Sequence, residues 1–132
     1  MIGLDTNVIV RYLVQDDPVQ SEIATRVFED RLSVDDRGFV SAVTLCEGVR
    51  VLKRGYKRPK SGLCAVIRAL LEAEELEIEH RDLVWRAFSA FQAGAADFSD
   101  YLIGERACVA GAKTTLTFDE TAAASKLFTL AK

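Results

Sequence analysis

The sequence is poor in the residue types on which several common chemistries depend. It has one histidine and one tryptophan in 132 residues. No serine or cysteine nucleophile motif accompanies the histidine, His80, so we interpret it as a surface residue and not as a general base. No glycine-rich phosphate loop and no dinucleotide-binding fingerprint is present. These absences argue against nucleotide-driven reactions and hydride transfer.

Long hydrophobic runs are also missing. No stretch of about 18 apolar residues occurs, and the segment Met1–Asp5 lacks a basic region followed by an apolar stretch and a cleavage site. We therefore expect a cytoplasmic protein that does not contact membranes. Cys46, Cys64 and Cys108 are odd in number and far apart, which favours small buried hydrophobic residues over disulfides or zinc ligands.

Apolar residues are plentiful and arranged in alternating patterns. They make up 49% of the chain, enough to build a core, and we expect residues 1–132 to form a single domain. The patterns predict strands over residues 1–4, 38–40, 76–79 and 114–118, and helices over residues 8–13, 41–52, 60–73, 83–93, 99–110 and 120–127, with further helical spacing at Ile23, Val27 and Phe28. This alternation predicts an α/β fold with a parallel sheet and helices on both faces.

Four acidic residues lie at the ends of these predicted elements: Asp5, Glu47, Asp100 and Asp119. Ligands of open parallel sheets bind beyond the carboxyl ends of the strands, where an α/β fold can gather such residues. Carboxylates held close together repel one another unless a cation neutralises them, and an all-oxygen cluster suits Mg²⁺ or Mn²⁺. The four motifs therefore predict a metal-dependent phosphodiester site.

Each acid also has a structural interpretation. An Asp directly after a strand often serves only as a turn residue or helix cap. Asp97, Ser99 and Asp100 compete for one cap, and we assign it first to Asp97 or Ser99. Glu47 lies in an apolar helical stretch, where we expect a buried acid that needs a partner.

The charge is unevenly distributed along the chain. The net charge is −3, yet residues 50–60 hold six basic residues and no acid, while residues 72–79 hold five acids and no base. We expect Lys53, Arg54, Lys57 and Arg58 to be able to contact nucleic-acid phosphates without reading the base sequence, and Tyr56 to be able to stack on a base. The alternative is a solvated helix end and loop.

Four segments in series resemble the motifs of PIN-domain ribonucleases, in particular the VapC-type toxins of bacterial toxin–antitoxin pairs. The segments are Leu4-Asp5-Thr6-Asn7, residues 41–52 around Glu47, residues 97–103 from Asp97 to Ile103, and Thr117-Phe118-Asp119. The resemblance implies a three-layer PIN-like sandwich with a central parallel sheet of four or five strands. It also implies an endoribonuclease that uses Mg²⁺ or Mn²⁺.

Site roles and partners follow from the same resemblance. The metal ligands and catalytic residues would be Asp5, Glu47, Asp100 and Asp119, with Asp97 as an accessory acid. Thr6, Asn7 and Thr117 would orient waters or phosphate oxygens. Water would be the nucleophile, so the products would carry 5′-phosphate and 3′-hydroxyl ends. The implied partners are an RNA substrate, a small VapB-like antitoxin and a second copy in a homodimer. One departure from the family pattern is Gly104-Glu105, where small alanines are usual.

Two other functions are compatible with parts of the sequence. Phosphatases of the haloacid-dehalogenase type also place an Asp after the first strand, but they need a second Asp two residues on, where this chain has Asn7. A catalytically silent PIN-like module would bind RNA or protein without cleaving. One further feature suggests partner binding. The first helix has more apolar residues than one buried face can hold, namely Val8, Val10, Leu13 and Val14.

Overall fold

The structure is a computed structural model that describes all residues, 1–132. The chain forms two compact units, Met1–Arg81 and Asp82–Lys132, which we call the N-terminal and C-terminal units. The strands are β1 Ile2–Gly3, β2 Gly38–Val40, β3 Leu76–Ile78, β4 Thr115–Thr117 and β5 Phe128–Leu130. The helices are α1 Thr6–Val14, α2 Pro18–Arg26, α3 Ala42–Arg54, α4 Lys60–Glu72, α5 Arg81–Ala93, α6 Phe98–Val109 and α7 Glu120–Ala123.

The sheet of the N-terminal unit has three parallel strands in the order β1-β2-β3. Gly38 in β2 pairs with Ile2 on one side and Leu76 on the other. A side chain at Gly38 would meet Leu4 Cδ1 at 2.7 Å and Leu32 Cδ1 at 2.9 Å. Leu4 and Leu32 therefore pack directly over Gly38, and a larger residue there would require both leucine side chains to move.

Helix boundaries in this unit follow their capping residues. Ser41 begins α3 by accepting a hydrogen bond from the backbone N–H of Thr44, as predicted. Asp17 caps α2, whose first residue is Pro18. Helix α2 continues into a π-helical turn, Val27–Arg31, where Phe28 stacks on Tyr12 with ring centroids 4.1 Å apart. Helix α1 packs against α2 and α3.

The C-terminal unit contains a second, two-stranded sheet in which β4 and β5 run parallel. Gly104 in α6 is buried against these strands, because an added Cβ would lie 2.9 Å from atoms of both Leu127 and Phe128. This close approach explains why glycine replaces the usual alanine here. The aromatic core of the unit includes an edge-to-face contact between Phe91 and Phe98.

The predicted α/β class with parallel strands is confirmed. The five strands are hydrogen-bonded as a three-stranded and a two-stranded sheet. The predicted closing helix over residues 120–127 is wrong, because α7 ends at Ala123 and β5 follows. Turn hydrogen bonds from Ser125 to Ala122 and from Phe128 to Ser125 redirect the chain. No helix combines the length and apolar character needed to cross a membrane.

Candidate functional site

Asp5 lies two residues after the end of β1 and caps the start of α1. Its side-chain Oδ1 accepts a hydrogen bond from the backbone N–H of Thr6 at 2.8 Å. The preceding residue is anchored to the sheet, since the Leu4 N–H donates to the Phe39 carbonyl at 2.9 Å. The exposed carboxylate is thereby fixed at the carboxyl end of a strand.

Thr6 connects Asp5 to a second predicted acid. Its side chain is only 6% exposed, and its hydroxyl donates to Glu47 Oε2 at 3.0 Å. The backbone N–H of the same residue binds Asp5. One buried threonine therefore holds two carboxylates that are 42 residues apart in sequence.

Glu47 lies on α3 and is exposed. The prediction that it is a buried acid is wrong, because Leu45, Val49 and Leu52 form the buried face of the helix and Glu47 lies about 200° around the axis from Leu45. Its predicted need for a partner is nevertheless met by the Thr6 hydroxyl.

Glu79 is a third acid at a strand end, after Asp5 and Asp119, and sequence reasoning did not single it out. It follows β3 directly, and its Oε1 accepts a hydrogen bond from the Ala42 N–H at 2.9 Å, at the start of α3. The detectable signal was its position just beyond the end of a strand, which it shares with Asp5. The following residue, His80, is exposed as predicted and has φ 53°.

Asp97 and Asp100 begin α6 together in the C-terminal unit. They form a capping box, in which Asp100 Oδ2 accepts a hydrogen bond from the Asp97 N–H at 3.2 Å. The cap was predicted for Asp97 or Ser99, and Asp97 is the residue that occupies the N-cap position. Both charges lie in the first turn, where the helix dipole favours them.

Asp119 follows β4 and caps the short helix α7. Its Oδ1 accepts hydrogen bonds from the N–H groups of Thr121 at 2.8 Å and Ala122 at 3.4 Å. The Thr117 hydroxyl accepts a hydrogen bond from the Asp119 N–H at 3.0 Å. Between them, the side chain of Phe118 is 87% exposed. The turn therefore fixes the acid and leaves an aromatic ring in solvent beside it.

The donor chemistry of these acids can be compared with the needs of a metal ion. No group of three or more His, Cys, Asp or Glu side chains is placed to hold one, so a complete protein cage is absent. Mg²⁺ is usually held by one or two carboxylates, with waters filling its other positions. Asp5 and Glu47, linked through Thr6, fit that mode in donor type and number.

The predicted basic residues are on the surface, and the aromatic residue among them is engaged. Lys53, Arg54 and Lys57 are exposed, and Arg58 is half-buried. The Tyr56 hydroxyl donates to Asp16 Oδ2 at 2.6 Å and accepts from Arg11 Nη1 at 3.0 Å.

This hydrogen-bond network changes the acidity of its members. The Tyr56 hydrogen bond lowers the pKa of Asp16 below its ordinary value. The hydrogen bond with Tyr56 also raises the pKa of Arg11. Tyr56 therefore serves to join the segment after α3 to the loop after α1.

The remaining predicted residues have less uniform surroundings. Asn7 is exposed and helps to line a cavity of about 220 Å³ beside α1 and α2.

The cysteines form no disulfide; Cys46 and Cys64 are half-buried, and Cys108 is exposed. The prediction that all three are buried is therefore wrong for Cys108, which lies near the solvent-facing end of α6. Burial raises the pKa of the Cys46 thiol.

Parallel strands followed closely by fixed carboxylates define a class of α/β protein suited to binding divalent cations at its strand ends. The comparison with known families identifies the member of that class. The family model described as PIN domain matches residues 2–125, so the chain belongs to the PIN domain family. PIN domains have a nuclease-type fold and are usually metal-dependent ribonucleases. The comparison with curated proteins gave no match.

Proposed function

We propose that this protein is an endoribonuclease that hydrolyses RNA phosphodiester bonds with Mg²⁺ or Mn²⁺. The observation that carries the proposal is the Thr6 link between Asp5 and Glu47, which lies within the residues matched by the PIN family. Two carboxylates joined at the end of a parallel strand provide oxygen ligands where such folds bind substrates.

Asp5 and Glu47 would hold the ion together with Asp100 and Asp119, with Asp97 as an accessory acid. The acids of the C-terminal unit are included because the family match runs across both units, which also supports a single functional domain. When bound, the ion supplies positive charge for the phosphoryl oxygens and makes a coordinated water more acidic.

The protein side chains orient the reactants and accept the proton. Thr6 donates to Glu47 Oε2 and so orients this carboxylate, which would act as the general base for the attacking water. Thr117 holds the Asp119 backbone and so orients that carboxylate. Asn7, exposed one residue after Thr6, would contact phosphate oxygens or waters. Lys53, Arg54, Lys57 and Arg58 would attract the RNA backbone.

The biological role we propose is that of a VapC-type toxin in a type II toxin–antitoxin pair, with a small VapB-like antitoxin and a homodimer as partners. Apolar surface on the first two helices supports partner binding. Val8, Leu13 and Val14 of α1 are only half-buried, and Val19 and Ile23 of α2 are 68% and 50% exposed. Sedimentation that shows only a monomer at micromolar concentration would contradict the dimer.

The nuclease proposal is tested with purified protein and total bacterial RNA in EDTA, Mg²⁺ or Mn²⁺. The wild type should yield metal-dependent fragments with 5′-phosphate ends, and a variant carrying Asp5→Asn and Asp100→Asn should yield none. Asp35→Asn is the matched control, because Asp35 is an exposed acid outside the proposed site. Cleavage that persists in the double variant, or in EDTA, would overturn the assignment.

Two further assays on the same proteins distinguish the nuclease from a silent binding module and from a phosphatase. Tight RNA binding without cleavage in Mn²⁺ would indicate a silent binding module. Release of phosphate from small phosphomonoesters, abolished by Asp5→Asn alone, would indicate a phosphatase. Membership of the PIN family and Asn7 at the position of the required second Asp both favour the nuclease.

A further inference from the structure

The C-terminal unit contains a cavity of about 290 Å³. Its walls are built mainly from small residues, and the polar groups that line it are hydroxyls. The lining includes Ala93, Gly94, Tyr101, Thr121, Ala124 and Ser125. Because no charged side chain lines the cavity, its chemistry suits a neutral ligand and not a phosphate group, which requires cations.

Two walls of the cavity are joined to predicted catalytic acids. Thr121 donates its backbone N–H to Asp119 Oδ1 at 2.8 Å. Tyr101 follows Asp100 in the first turn of α6. The cavity is therefore built on the same turns that fix Asp119 and Asp100.

The cavity is held in shape by a close contact between its walls. Any side chain at Gly94 would collide with the Tyr101 hydroxyl. That hydroxyl accepts a hydrogen bond from the Ala96 N–H at 3.2 Å. The Ser125 hydroxyl likewise accepts from the Leu127 N–H at 3.2 Å. The cavity thus presents hydroxyl groups on apolar walls, and a hydroxyl can donate as well as accept.

We propose that this cavity binds one nucleobase of single-stranded RNA, next to the phosphate that is cleaved. The inference rests on the proposed nuclease function and adds a site of base selection to it. The short alanine side chains of the lining leave space for a flat ring, and hydroxyls that can donate or accept hydrogen-bond to its edge. Only an unpaired base can enter, because a base in an RNA duplex is stacked and paired.

The test uses leucine substitutions that fill the cavity. Ala93 and Ala124 are both exposed at its rim, so Ala93→Leu and Ala124→Leu should fold, which melting curves check. Ala69→Leu is the matched control, on an exposed position of α4 outside the cavity. The substrate is a single-stranded oligoribonucleotide that spans a site cleaved by the wild type, with a series of single abasic replacements.

In the wild type, one abasic position beside the cleaved bond should raise KM about tenfold, the usual size of a lost base contact. Ala124→Leu and Ala93→Leu should raise KM for the intact RNA by a similar factor, leave kcat nearly unchanged, and show no further loss with that abasic RNA. Ala69→Leu should behave as the wild type does. This non-additivity identifies the cavity as the place where the base binds.

Two outcomes would overturn the inference. In the first, the leucine variants keep the wild-type KM. In the second, the leucine and abasic effects simply multiply. If the wild type cleaves no RNA, the nuclease proposal has failed separately, and the cavity is tested by fluorescence anisotropy with a single-stranded oligoribonucleotide. Equal affinity of the wild type and Ala124→Leu in that assay also rejects the base site, whereas about tenfold weaker binding by Ala124→Leu supports it.

Discussion

Thr6 is a small polar residue in a buried position, and both of its donors are used. Its N–H binds Asp5 and its hydroxyl binds Glu47. A buried hydroxyl without a partner would destabilise the fold, so the contact with Glu47 satisfies Thr6 while it orients the acid. The same hydroxyl of Thr6 therefore contributes to the stability of the fold and to the orientation of a residue in the candidate site.

Replacing Thr6 with valine keeps the shape of the side chain and removes the donor. We expect the free energy of unfolding to fall by about 1 kcal/mol, and kcat for RNA cleavage to fall by about tenfold or more because Glu47 loses its orientation. The serine variant, Thr6→Ser, should restore most of kcat. Denaturant titration and single-turnover cleavage measure the two effects, and an unchanged kcat in Thr6→Val would refute a positioning role.

The cysteines should differ in reactivity because their surroundings differ. Cys108 is exposed, whereas Cys46 is half-buried and burial raises its pKa. The thiolate is the reactive form, so iodoacetamide at neutral pH should label Cys108 well before Cys46. Peptide mass spectrometry of timed samples shows the order. Labelling of Cys46 first would contradict the structure, and the Cys108→Ser variant is the control.

At the scale of elements, three of the acids that we propose as metal ligands would do two jobs, because they also begin helices. Asp5, Asp97 and Asp119 are the N-cap residues of α1, α6 and α7. The sequence alone offered capping and metal binding as alternatives for these positions. The structure demonstrates capping, and a capping carboxylate is held in one orientation at the start of its helix.

Asparagine separates the two jobs at Asp119, because it caps helices about as well as aspartate does but carries no charge. Asp119→Asn should keep the wild-type melting temperature and lose cleavage in Mg²⁺. Asp119→Ala should lose cleavage and also about 1 kcal/mol of stability. Thermal unfolding and RNA cleavage are measured on the same preparations. Full activity in Asp119→Asn would remove this residue from the site.

The contact between the loop after α1 and the segment after α3 should depend on pH. The Tyr56 hydrogen bond lowers the pKa of Asp16, so its stabilising effect is complete above the ordinary value of 3.8 and is lost as pH falls through the lower folded value. Tyr56→Phe should therefore be less stable than the wild type at pH 6, with the difference shrinking below pH 3.8. Urea titrations across this range test it, and a pH-independent difference would contradict it.

At the scale of the whole molecule, much of the organisation could be predicted from the sequence. Breaker residues and caps such as Ser41 and Pro59 set clear helix boundaries, and Leu45, Val49 and Leu52 marked a buried face. The same spacing contained the information that Glu47 is exposed, but the apolar residues around it concealed this.

Other features depend on contacts that no local pattern reveals. The hydrogen bond between Thr6 and Glu47 requires α1 to pack against α3. Strand β5 has three residues without a distinctive pattern, and it exists because Phe128 pairs with Thr115 and is buried. β-structure of this kind is decided by its neighbours and not by its own residues.

The late position of β5 has a practical consequence for anyone who shortens the protein. The family match ends at residue 125, so a fragment cut at that boundary keeps β4 and discards its partner strand. It would lose the hydrogen bonds from Thr115 N–H to Leu127 O at 3.1 Å and from Ala131 N–H to Thr117 O at 2.7 Å. Unpaired strand edges recruit other chains, and Leu116 and Phe118 are already in solvent.

We expect the fragment 1–125 to aggregate during purification, whereas a chain ending at residue 131 keeps both hydrogen bonds and stays dispersed. Light scattering at equal concentration distinguishes them, and a monodisperse 1–125 fragment would show that β5 is dispensable. The boundary drawn from family similarity and the boundary needed for a manageable sample are thus different, and expression vectors should follow the second.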